Sequence, residues 1–83
     1  MKYGYGVTEK TLRDLVEAVV RARVFDSATL LAALERGPIS TEAREAIREA
    51  LADELVETGL GPDAEPNDRG RLIETAIDWL GYR

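Results

Sequence analysis

Apolar residues in this chain recur at intervals of three and four in four separate runs, and apart from the TyrGlyTyr arm at 3–5 they nowhere alternate over the length of a strand. That pattern confines the chain to helices with one buried face each. The first run is Leu12, Leu15, Val16, Val19 and Val20. Thr8 precedes it as an N-cap, with Val7 and Leu12 at hydrophobic-staple spacing, so a helix is predicted over about 8–24. The second run, Leu30, Leu31 and Leu34, follows Asp26 as an N-cap candidate, with Phe25 and Leu30 at staple spacing. Gly37 as C′ residue and Pro38 as a stop end it near 36. Ser40 then caps a third helix over 41–58, with Ala43, Ile47, Ala50, Leu51 and Leu55 facing one way and Gly59 and Gly61 at its end. The fourth, about 67–80, carries Leu72, Ile73, Ala76, Ile77 and Leu80, begins at Pro66 or Asn67, and ends at Gly81. The expected fold is all-α: a compact bundle of four amphipathic helices in a single domain, 1–83. A short arm, 1–6, precedes the bundle and a loop, 59–66, joins its last two helices.

Eighty-three residues without cysteine have neither a disulfide staple nor a thiolate metal site. A core this small leaves helix packing or oligomerisation as the usual source of stability. The apolar runs are too short and too often broken by charge for a signal peptide or a membrane span, which leads to an expectation of a cytoplasmic protein. The preference for Arg over Lys, with abundant Ala and Glu, suggests a bacterial source by association alone. Charge is segregated. Residues 42–68 hold nine acidic side chains against two arginines, whereas the flanking segments are each close to neutral. An acidic middle repels phosphate and argues against nucleic acid and anionic membranes as partners. With no His and no Cys, the common acid–base and nucleophile constellations are out of reach, and no enzyme activity or cofactor is expected.

One loop has metal-ligand spacing. Counted from Asp63, oxygen donors fall at Asp63, Glu65, Asn67, the Arg69 carbonyl and Glu74, positions 1, 3, 5, 7 and 12. The spacing resembles an EF-hand calcium loop over twelve residues, and that resemblance implies a hard cation held between two helices. The turn residues depart from it: Asp68 stands where the loop needs Gly, Gly70 stands where a branched apolar residue is usual, and Pro66 favours starting a helix.

Three further features bear on function. Glu42, Glu45, Glu49, Asp53 and Glu57 step by three or four along the third helix and predict an acidic ridge, either a solvated face or a docking surface for a basic partner. Helix, Gly-Pro turn and Ser-capped helix over 31–43 resemble a helix-turn-helix regulator in outline, but the would-be recognition helix is the most acidic element. Tyr3, Tyr5, Trp79 and Tyr82 cluster near the termini, either packing on one another or forming a contact patch. Taken together these features predict an acidic helical protein–protein interaction or adaptor module. It would self-associate as a homo-oligomer or dock a basic partner protein, with Arg21, Arg23, Arg36, Arg69 and Arg71 as the cations another subunit offers. A calcium-binding helix-loop-helix at 63–74 and a helix-turn-helix-like transcriptional regulator are the alternatives.

Overall fold

The computed structural model describes residues 7–37 and 39–81. Four helices follow in order: α1 Glu9–Arg23, α2 Ser27–Glu35, α3 Thr41–Thr58 and α4 Asp68–Leu80. No strand occurs among the described residues, and an isolated bridge between Leu60 and Pro66 is the sole extended pairing there. The chain is a small four-helix bundle, as the four apolar runs predict. The 1–6 arm and Pro38 lie outside the described residues.

Local chemistry sets three of the four helix starts. The Thr8, Ser40 and Asn67 side chains accept from the backbone N–H groups of Thr11, Ala43 and Gly70. Each satisfies one of the donors that a first helical turn leaves without an intrahelical partner. The fourth start differs from expectation. Asp26 makes no capping bond to the backbone, and its carboxylate accepts instead from the Thr29 hydroxyl at 3.0 Å. The expected Phe25–Leu30 staple is also absent, because Phe25 is fully exposed, at 106 %. The turn therefore leaves the phenyl ring in solvent. Gly37 ends α2 with φ of 117°, a left-handed conformation that glycine adopts without a Cβ penalty.

The core draws on all four helices. Leu12, Val16, Val19 and Val20 of α1 meet Ile47 and Leu51 of α3 and Ile73, Ala76 and Leu80 of α4. α2 contributes Leu34 as its sole buried residue. Leu30 and Leu31 pack partly against the core edge. α2 touches α1 and α3 but not α4.

The end of α3 and the start of α4 come together where glycines face each other. A Cβ built on Gly70 would collide with the Gly59 carbonyl oxygen, and one on Gly59 would stand 2.9 Å from the Gly70 Cα. Two backbones meet there with no room for a side chain. The loop between them folds back on itself through Gly61 N–H to Glu65 O at 2.7 Å and Asn67 N–H to Gly59 O at 2.9 Å.

Candidate functional site

α3 carries the acidic ridge on its outer side. At about 100° per residue, Glu42, Glu45, Glu49, Asp53 and Val56 fall within one narrow arc. That arc lies opposite the buried Ile47, Ala50 and Leu51. All five are exposed, Val56 at 69 %. Glu45 is held by Arg48 through two bonds of 2.7 and 2.8 Å. Glu42, Glu49 and Asp53 have no ion-pair partner among the described residues. Glu57, about 40° around the helix from Asp53, stands at the edge of the ridge nearest α1, still exposed, and its carboxylate pairs with Arg23 at 2.6 Å.

The aromatic patch requires correction. Trp79 is 3 % exposed and belongs to the core, with the Arg13 guanidinium 5.8 Å from its ring centroid at the boundary. It offers no contact surface. Its position on α4, three residues after Ala76 and six after Ile73, is part of the buried stripe. Tyr3, Tyr5 and Tyr82 fall outside the described residues.

The 63–74 loop has local uses for the oxygens that match the EF-hand spacing. Asp63 Oδ1 accepts from the Glu65 backbone N–H at 3.1 Å, closing a short side-chain turn. Asn67 Oδ1 caps α4 through the Gly70 N–H at 2.8 Å, while its Nδ2 donates to the Thr58 carbonyl at 3.3 Å. Glu74 lies along α4 beside Ile77, Asp78 and Leu55. Among the described residues, no group of three or more acidic side chains gathers so as to hold a metal ion. The helix start that Asn67 and Asp68 make here replaces the sharp glycine turn that an EF-hand loop uses.

The principal polar cluster escaped the sequence reading. Glu54 of α3, 8 % exposed, sits on the buried side of the helix. Its Oε1 accepts from Arg23 Nε of α1 at 2.8 Å, and its Oε2 accepts from Arg69 Nη2 of α4 at 3.0 Å. The Thr58 hydroxyl donates to Oε2 at 2.7 Å and accepts from Arg69 Nε at 3.0 Å. The Thr58 hydroxyl, Arg23 and Arg69 together hold the Glu54 carboxyl down at about 2, against an ordinary 4.5. Arg23 and Arg69, which the sequence offered to another subunit, are thus engaged within the chain. One signal for the cluster was present. Glu54 follows Ile47, Ala50 and Leu51 by seven, four and three residues, so a carboxylate stands on the apolar stripe and needs a partner there.

A groove of about 500 Å³ opens between the first half of α1 and the end of α2. Leu31 and Leu34 form its apolar floor, and Glu9, Asp14, Glu17 and Glu35 outnumber Lys10 and Arg13 around it. Lys10 pairs with Asp14 at 2.9 Å and Arg13 with Glu9 at 3.5 Å. No helix among the described residues is long and apolar enough to cross a membrane. The chain matches no family model, no curated protein and no solved structure.

Proposed function

We propose that this chain is a non-catalytic interaction module whose docking face is the outer side of α3, presented to a basic partner protein. The observation that carries the reading is the row Glu42, Glu49 and Asp53, all exposed and without an ion-pair partner among the described residues. Like charges at three- and four-residue spacing repel by a few tenths of a kcal/mol per pair. A partner that brings Lys or Arg to this face relieves that repulsion, and steers its own approach along the field the face projects. The same face speaks against the helix-turn-helix alternative, since α3 would place carboxylates against phosphates.

The test compares the wild-type chain with a Glu42→Lys, Glu49→Lys, Asp53→Lys variant as bait in affinity capture from the source cells, at low and high salt. The reading expects a partner with a basic surface that the variant fails to retain and that salt releases. Equal recovery by both baits at every salt concentration would overturn it.

A further inference from the structure

Phe25 stands fully exposed in the turn between α1 and α2. The α1–α2 groove, with its Leu31 and Leu34 floor, lies toward the other end of the same helix pair. The groove begins at Glu17 and Leu31, roughly 9–12 Å along the helices from Phe25. The wholly exposed phenyl ring does not enter the groove of its own chain. We propose that Phe25 of one copy seats in the α1–α2 groove of a second copy.

Three observations carry the assignment. A phenyl ring left wholly in water has apolar surface that no part of the described chain covers. The groove offers the half-buried Leu31 as apolar surface and, at about 500 Å³, is large enough to admit an aromatic side chain. One charge pair is also on offer across the contact, against which Asp26, exposed beside Phe25, brings a carboxylate to the same acidic rim. Arg21, one helical turn before Phe25 and 62 % exposed, is held among the described residues only by Glu17 at 3.3 Å. Exposed pairs of that kind are weak and exchange partners readily. Glu35 on the groove has no ion pair among the described residues. A copy arriving with Phe25 therefore brings a cation to a carboxylate that lacks one. Because the knob and the hole are different surfaces, two copies exchange them reciprocally about a two-fold axis, or the contact repeats head to tail into rings or open chains.

The experiment is sedimentation of the full chain and its variants over about 10–500 μM. Wild type should gain mass with concentration. Phe25→Ala and Leu31→Glu should each raise the apparent Kd at least about tenfold. An equimolar mixture of the two should associate again, since one retains the groove and the other the phenyl ring. Glu35→Arg, at an exposed position, should weaken association with the helical circular dichroism unchanged, which covers the case in which Leu31→Glu disturbs the fold. The proposal is overturned by a wild type that stays monomeric through the range, by association that survives Phe25→Ala, or by a mixture that does not reassociate. A groove that takes up an unrelated peptide while the chain remains monomeric overturns it as well. The α3 face keeps its charges in every variant, so the outcome is independent of the proposed function.

Discussion

Glu54 keeps a charge where the neighbouring positions on its helix face are apolar. Three donors from three helices converge on one carboxylate, so the ion pair fixes how α1, α3 and α4 lie against one another. Removing the acid leaves two guanidiniums short of an acceptor. Glu54→Ala should therefore lower the unfolding free energy by about 1–3 kcal/mol in urea titrations. The pH dependence has a definite sign. The folded carboxyl titrates near 2 and the unfolded one near 4.5, so the stabilisation is complete above pH 4.5 and is lost as pH falls from 4.5 toward 2. Thermal midpoints of the wild type should drop through that window, and Glu54→Gln should flatten the drop. If that variant proves as acid-sensitive as wild type, the loss belongs to other carboxylates.

At the scale of elements, the α3–α4 junction sets itself against helix propensity. Glycine inside a helix is less favourable than alanine by about 1 kcal/mol, so Gly70→Ala on an isolated α4 would stabilise it. In the folded chain the new methyl collides with the Gly59 carbonyl. Gly70→Ala should instead destabilise by about 1–3 kcal/mol, read from the same urea titrations. The helices themselves were legible because the stripe spacing and the Thr8, Ser40 and Asn67 caps are local signals. The tertiary facts were not. That Gly70 faces Gly59, and that Arg23 and Arg69 reach Glu54 across 31 and 15 residues of chain, depends on how helices are placed. Periodicity says which side of a helix is buried and nothing about which helix covers it. Trp79 was misplaced for a related reason. Its stripe position fits the core, but an aromatic near a chain end also fits an interface. Of the candidate docking site, the ridge from Glu42 to Glu57 was readable as a helical arc, whereas the pairing of Glu57 with Arg23 of α1 was not, because it depends on how the helices are placed.

For the whole molecule, the acidic face is an expense to the free chain. Glu49 stands one turn from both Glu45 and Asp53, so Glu49→Gln removes two like-charge contacts. It should raise stability by a few tenths of a kcal/mol at low salt, with the gain shrinking as salt screens the repulsion. A face that destabilises the monomer is consistent with one shaped by binding rather than folding. The uneven attachment of the helices has a consequence in time. α1, α3 and α4 share the Glu54 junction and most of the core, whereas α2 is anchored by Leu34 and its partly buried neighbours alone. Amide protons of α2 should exchange with deuterium well ahead of those in the other three helices, through an opening that releases α2 and leaves the rest folded. The groove shares its floor with that helix, so whatever seats there should slow the exchange.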